Sequence, residues 1–190
     1  MQLIKSIAIF FTLAAVGTAV PTPEKGIEFI TSSGAKRTVY VHVPLASAAE
    51  AEVVIEEPGA SKVKRFQFHA DSEDRNFCGV SSFEDRTSGG SPSLSDCECV
   101  RDWFAAHRGY YSINKSDSDG FFPVITCGTC RFGVDTSNFF GTHVGNKDIV
   151  DVVDTALGLF PSGGRVGAYG EMGCDNSFVT AGTRWGLYRS

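Results

Sequence analysis

The chain has 190 residues, of which 42% are hydrophobic and 21% charged, and its formal net charge is −5 at pH 7. This length suits one domain with an extension. Its Lys and Arg residues are scattered along an acidic chain, which gives no general electrostatic attraction to nucleic acid. We therefore expect no nucleic-acid partner.

The N-terminus has the three parts of a secretory signal peptide. Lys5 supplies positive charge, residues 7–16 form an apolar run, and Gly17-Thr18-Ala19 provides a small-residue cleavage site. The run is shorter than the ~20 apolar residues of a membrane-spanning helix, and no later stretch is apolar enough to span. We expect cleavage after Ala19 and a secreted, extracellular protein without stable membrane insertion. The alternative is a buried helix of the mature fold.

Residues 20–65 differ in composition from the rest of the mature chain. They contain no cysteine, and residues 39–43 and 53–55 form apolar stretches that could each be a strand. Lys62-Val63-Lys64-Arg65 resembles a dibasic site for secretory-pathway proteases. Two interpretations stay open: a pro-segment removed after Arg65, or an N-terminal extension that supplies strands to the mature fold. Residues 66–190 then form the main domain.

Two helices are predicted in this domain. The first follows Ser91-Pro92-Ser93 and runs to about His107, with Ser93 and Asp96 spaced as in a variant of the capping box. The second begins near Asn146 and carries apolar residues at helical spacing over 149–160, before Pro161 ends it.

Short strands are predicted around the helices. Residues 110–113 and 121–127 are interpreted as a strand pair joined by a polar loop, and further strands are expected at 130–134 and 139–144. Residues 165–172 and 183–188 form a last pair, in which Gly167 and Gly170 indicate bulges or close backbone approach. Helices returning to an antiparallel sheet predict an α+β fold.

The sequence contains no motif typical of a catalytic centre. The four histidines, at positions 42, 69, 107 and 143, are dispersed and are interpreted as surface or packing residues. There is no Gly-x-Ser-x-Gly elbow and no His-Glu-x-x-His pair. We expect no catalytic residues and no cofactor.

Three further motifs have structural explanations or lie in loops. Asp117-Ser118-Asp119-Gly120 would need Lys115 and Thr126 as calcium ligands in an EF-hand, so an acidic turn is expected instead of a metal site. Strand-like residues follow Cys127-Gly128-Thr129-Cys130, which favours structural disulfides over a redox or zinc site. Asn114-Lys115-Ser116 is an N-glycosylation acceptor in a predicted exposed loop.

Several short segments occur in the order typical of one family. They include Phe77-Cys78-Gly79-Val80-Ser81-Ser82-Phe83, Val144-Gly145-Asn146-Lys147-Asp148-Ile149 and Trp185-Gly186-Leu187-Tyr188, with the Cys127–Val134 segment between the first two. From Phe77 to Tyr188 the chain resembles the fungal necrosis-inducing factor family, the homologues of the extracellular protein-2 effector of plant-pathogenic fungi.

This resemblance implies a secreted, toxin-like virulence effector that is not an enzyme. Its partner would be an unknown target on the surface of host plant or competing microbial cells, some family members provoke necrosis, and a monomer is expected. The two helices on an antiparallel sheet also resemble small fungal α/β-sandwich killer toxins. The alternative function is a small secreted hydrolase, such as a ribonuclease, with an unrecognised site.

The resemblance also implies a disulfide framework, although spacing alone leaves many connectivities open. Four cysteines match the family pattern: Cys78, Cys97, Cys130 and Cys174. Cys99 and Cys127 are additional, so they are expected to form one added bridge. The shared bridges would then be Cys97–Cys130 and Cys78–Cys174.

Overall fold

The computed structural model describes residues 26–42, 66–114, 120–175 and 179–190. The expected cleavage positions at Ala19 and Arg65 lie outside the described residues, as does the strand candidate at 53–55.

The described residues form two helices and a set of short strands, which confirms the predicted α+β class. Neither helix is long and apolar enough to span a membrane, within the described ranges. The elements in chain order are β1 (Ile27–Ile30), β2 (Lys36–Val41), β3 (Phe66–Ala70), β4 (Cys78–Ser81), β5 (Glu84–Asp85), α1 (Leu94–Ala106), β6 (Gly109–Ile113), β7 (Phe122–Cys127), β8 (Cys130–Thr136), β9 (Thr142–Gly145), α2 (Asn146–Leu159), β10 (Ala168–Asp175) and β11 (Thr180–Arg189).

The strands make two antiparallel sheets. The larger sheet has the order β1-β2-β7-β8-β11-β10-β4, with β5 also paired to β10, and the smaller has the order β3-β6-β9. Helix α1 packs against α2 and against β7 and β8, while α2 also contacts β9 and β6. The last predicted strand pair is confirmed as the β10–β11 hairpin.

The predicted pairing of residues 110–113 with residues 121–127 is wrong. Strand β6 pairs with β3 and β9 in the smaller sheet, whereas β7 pairs with β2 and β8 in the larger one. Strand β7 finds its nearer partner through the two-residue turn at Gly128-Thr129, where Gly128 has φ +55°. A short hairpin of this kind costs less loop-closure entropy than a longer connection.

Helix α1 begins with a side-chain cap, whereas α2 has no side-chain cap hydrogen bond and instead uses a carboxylate in its first turn. Ser93 caps α1, and its Oγ accepts a hydrogen bond from the Asp96 nitrogen at 3.3 Å. Gly145 is the N-cap residue of α2, and Asp148 in the first turn accepts a hydrogen bond from the Gly145 nitrogen at 2.8 Å. The same Asp148 carboxylate accepts from the nitrogens of Phe77 and Cys78, which fixes the chain before β4.

The core lies between the helices and the inner sheet faces. Its largest fully buried side chains include Trp185, Phe104, Phe132 and Ile149. Gly170 lies against this core, since a Cβ there would approach the Ser82 oxygen to 2.1 Å and the Trp185 ring to 2.6 Å. The close backbone approach predicted at Gly170 is therefore confirmed.

Three disulfides hold the domain together. Cys78–Cys174 joins β4 to β10, while Cys97–Cys130 and Cys99–Cys127 both join α1 to the β7–β8 hairpin. These are the same three pairs that the family resemblance implies. No cysteine is free in the described part of the chain.

Part of the N-terminal extension belongs to the larger sheet. Strands β1 and β2 form a hairpin, and β2 pairs with β7 along the register Val39–Cys127 to Val41–Ile125. The side chain of Val39 is fully buried in the core. Cleavage after Arg65 stays a prediction.

Candidate functional site

The outer face of the smaller sheet gathers histidine and aromatic side chains. Side chains alternate along a strand, so the burial of Tyr111 and Ile113 on β6 places Tyr110 and Ser112 on the opposite face. We call this surface the histidine face and define it by five half-buried residues: His69, Phe77, Tyr110, Ser112 and His143.

The strand register brings these residues together from distant parts of the chain. His69 on β3 lies opposite Tyr110 on β6, and Ser112 lies opposite His143 on β9. The His69 and Tyr110 rings stack with centroids 4.5 Å apart and an interplanar angle of 11°. Phe77 meets the rings of Tyr110 and His143 edge-on at 5.2 and 5.5 Å. The rings therefore support one another in fixed positions.

One hydrogen bond links two polar members of the face. Nε2 of His69 lies 2.9 Å from Oγ of Ser112. The described residues supply no carboxylate that hydrogen-bonds either imidazole, so Ser112 and His69 lack the third, orienting group of a nucleophilic triad. The geometry brings a hydroxyl and two imidazoles together without completing that arrangement.

The histidine face has little charge at neutral pH. Burial lowers the pKa of His69, and burial together with the nearby charge of His69 lowers the pKa of His143. At the rim, Arg75 forms an ion pair with Asp71, and Arg108 Nε lies 3.6 Å from Asp74 Oδ1. The face is consequently an aromatic, uncharged surface with a polar rim, a combination that suits ligand recognition.

The interpretation of the four histidines as surface or packing residues stays a prediction, but their dispersal along the sequence does not mean separation in the fold. The structure brings His69 and His143 to one face, whereas His42 bonds Thr126 at 2.7 Å and His107 stacks on Trp103 at 3.7 Å. Tyr110 and His143 fall in predicted strands, and the alternation of side chains along each strand is the signal that separates them from the buried neighbours. His69 lies on β3, for which no strand was predicted.

The other residues singled out from the sequence lie away from this face or remain untested. Cys127 and Cys130 are both in disulfides, and the described residues contain no cluster of three side chains that could hold a metal ion. Asn114 directly follows β6 and is half-buried rather than exposed. Its glycosylation stays a prediction.

A concave surface lies between β4 and α2. Its volume is about 250 Å³, and its lining includes Val80, Phe83, Val152, Thr155 and Met172. Val80 is 97% exposed at its edge. Asp148 also lines this groove, and its carboxylate accepts hydrogen bonds from three backbone N–H groups.

Comparison with known proteins identifies the family. A family model described as "Hce2: Pathogen effector; putative necrosis-inducing factor" matches residues 77–174. A protein of Penicillium expansum named "Probable chitinase LysM18" is 33% identical over 114 residues. That alignment covers 58% of this chain but only 8% of the relative. The family model matches just over half of the residues, and the chain therefore belongs to the Hce2 family of pathogen effectors.

Proposed function

We propose that the chain is a secreted effector that acts by binding a target on host plant or competing microbial cells, without turning over a substrate. Membership of the Hce2 family supports an effector role with necrosis as an outcome. Three disulfides in a small domain favour an oxidising, extracellular location.

The histidine face is the surface that we propose for target binding. The observation that carries this proposal is the stacking of His69 on Tyr110, with Phe77 packed edge-on against Tyr110. Rings that are already held in place lose little conformational freedom on binding, and Tyr is enriched among residues that dominate binding energy. The absence of a carboxylate partner for His69, among the described residues, favours binding over catalysis.

The relative named a chitinase suggests one target to test first. The shared region is a small part of that protein, so its name gives no reason to place chitin cleavage in this chain. A module found in a chitinase could instead bring the protein to chitin-containing walls. Chitin is thus a suitable probe for binding to the walls of competing microbes.

A secreted hydrolase, such as a ribonuclease, is the second candidate function. The distance of 2.9 Å between His69 Nε2 and Ser112 Oγ, with His143 on the neighbouring strand, is the observation that favours it. Paired histidines can serve as general base and general acid. A site of this kind would lose turnover on substitution of either histidine.

Binding and turnover can be measured on the same secreted protein. Labelled protein is added to leaf cell walls, microbial cells and insoluble chitin, and RNA and chitin oligosaccharides are assayed for cleavage. We expect saturable binding to at least one surface, reduced in Tyr110→Ala and unchanged in Glu171→Gln, an exposed strand residue outside the face. Cleavage that His143→Gln abolishes would instead establish the hydrolase.

A further inference from the structure

The N-terminal hairpin of β1 and β2, residues 26–42, sits on the domain in the manner of a bound peptide. Strand β2 adds to the edge of β7, where Tyr40 lies opposite Thr126. Val39 beside it is fully buried. This is the geometry by which an extended segment adds a strand to an open sheet edge.

Side chains of the hairpin also contact helix α1. The Phe29 ring meets Trp103 edge-on with centroids 5.3 Å apart, and Trp103 is only 3% exposed. The nitrogen and the hydroxyl of Ser32 both donate to Asp102 Oδ2, at 2.8 and 2.7 Å. One apolar anchor and one charge-assisted pair of hydrogen bonds thus hold the hairpin to the helix.

No covalent cross-link attaches this hairpin to the domain. All six cysteines lie between Cys78 and Cys174, and the three disulfides join these cysteines to one another. The family match begins at residue 77, beyond the hairpin, yet it includes Trp103 and β7, which the hairpin covers. The dibasic pair Lys64-Arg65 lies in the chain between the hairpin and the domain.

We infer that the edge of β7 and the adjoining face of α1 form a strand-binding surface, which the N-terminal hairpin occupies and from which it can be displaced once proteolysis has cut the chain. A secretory protease of dibasic specificity adds water across the Arg65–Phe66 peptide bond, which leaves a carboxylate on Arg65 and an amine on Phe66. The hairpin is then held only by non-covalent contacts and can be displaced.

The hairpin itself specifies the chemistry of the partner. The incoming chain is an extended segment of a protein that pairs with β7 and places apolar side chains where Val39 and Phe29 lie. A hydrogen-bond donor at the position of Ser32 would satisfy Asp102, whose carboxylate would otherwise keep only its contact with Arg101. This inference does not use the histidine face and goes beyond the proposed function.

Trp103 reports directly on the occupancy of this surface. Phe29 covers it in the structure, whereas Trp185 is fully buried in the core, where Phe83 contacts it. Loss of the hairpin should move the fluorescence emission of Trp103 to longer wavelength and leave the emission of Trp185 unchanged. A Trp103→Phe variant assigns the signal to Trp103.

The test uses the secreted full-length chain, cut by a dibasic-specific protease and followed by mass spectrometry, gel filtration and tryptophan emission. Phe29→Ala removes the ring that contacts Trp103. Glu28→Gln is the matched control, since Glu28 pairs with Lys36 on the exposed side of the hairpin at 2.6 Å. A synthetic peptide of residues 26–42 serves as the probe for an extended strand.

We expect cleavage between Arg65 and Phe66. In the wild type, the cleaved hairpin should stay bound at high protein concentration. In Phe29→Ala the association should weaken about tenfold or more, with a red shift that excess peptide reverses. Glu28→Gln should match the wild type. If uncut Phe29→Ala lacks the three disulfides, Ser32→Ala replaces it. An uncut bond, an unchanged emission after cleavage of the variant, or a peptide that does not rebind would overturn the inference.

Discussion

The carboxylate of Asp96 accepts hydrogen bonds from both the nitrogen and the hydroxyl of Thr129, at 2.8 and 2.7 Å. Asp96 lies in the first turn of α1, and Thr129 lies in the β7–β8 turn. This contact is adjacent to the Cys97–Cys130 bridge and near the Cys99–Cys127 bridge. The helix start and the hairpin turn therefore meet in one polar, cross-linked junction.

We expect Asp96→Asn to destabilise the domain by about 1–3 kcal/mol at pH 7, because a charge-assisted pair of hydrogen bonds is weakened. Burial acts to raise the pKa of Asp96, but hydrogen bonds from Thr129 and Ser93 outweigh it and hold the pKa below 3.8. The stabilisation is therefore present above pH 3.8 and is lost as the pH falls through the lower folded-state pKa. Urea unfolding at pH 7 and at acidic pH measures both effects, and equal differences at the two values would contradict this account.

Replacement of two glycines by alanine should change the stability of the domain in opposite directions. Gly128 has φ +55°, and a Cβ there would lie 2.5 Å from the Asp96 carboxyl carbon, so Gly128→Ala should destabilise the junction. Gly158 lies in α2 with open space around it, so Gly158→Ala should stabilise by up to ~1 kcal/mol. Thermal unfolding of both variants compares them, and a stabilising Gly128→Ala would refute the crowding argument.

The disulfides should contribute unequally to stability. Cys78 and Cys174 are 96 residues apart, whereas Cys99 and Cys127 are 28 apart. On the chain-entropy model, the longer loop contributes about 1 kcal/mol more. The double variant Cys78→Ser with Cys174→Ser should therefore unfold at lower urea than Cys99→Ser with Cys127→Ser. Peptide mapping without reduction checks the pairing, and Cys99 linked to any residue other than Cys127 would disprove it.

Local signals account for the elements that the sequence predicted well. The Ser93 cap and the apolar spacing over residues 149–160 act within a few residues, and both helices form where these signals place them. The β10–β11 hairpin is likewise local. The strand predicted at 139–144 begins only at Thr142, as β9. Residues 138–141 form a turn instead, in which the Gly141 nitrogen donates to the Asn138 oxygen and Gly141 has φ +72°.

Long-range pairing accounts for what the sequence did not predict. The histidine face depends on the register of β3, β6 and β9, whose residues are separated by tens of positions in the chain. A shift of one residue would turn Tyr110 and His143 toward the core, and no short-range pattern encodes that register. The sequence leaves open that the N-terminal extension supplies strands, but the pairing of β2 with β7 depends on long-range register in the same way.

The histidine face should make stability depend on pH in the mildly acidic range. The folded-state pKa values of His69 and His143 lie below 6.5, so protonation favours the unfolded chain. Stability should be full above pH 6.5 and should fall as the pH drops from 6.5 through the lower folded-state values. Thermal unfolding between pH 7.5 and 5 measures this, and His69→Gln with His143→Gln should flatten the profile. An identical slope in the double variant would argue against these two groups.

The dose of secreted protein that causes half-maximal cell death in infiltrated leaves, or half-maximal growth inhibition of a competing microbe, tests the central claim most directly. Wild type, Tyr110→Ala and Glu171→Gln are compared after each has been shown to contain all three disulfides. If the target binds through the histidine face, the half-maximal dose of Tyr110→Ala should be at least roughly tenfold higher than that of the wild type, because aromatic anchors dominate binding energy. The dose of Glu171→Gln should match that of the wild type. A Tyr110→Ala dose curve that coincides with the wild-type curve would contradict the account.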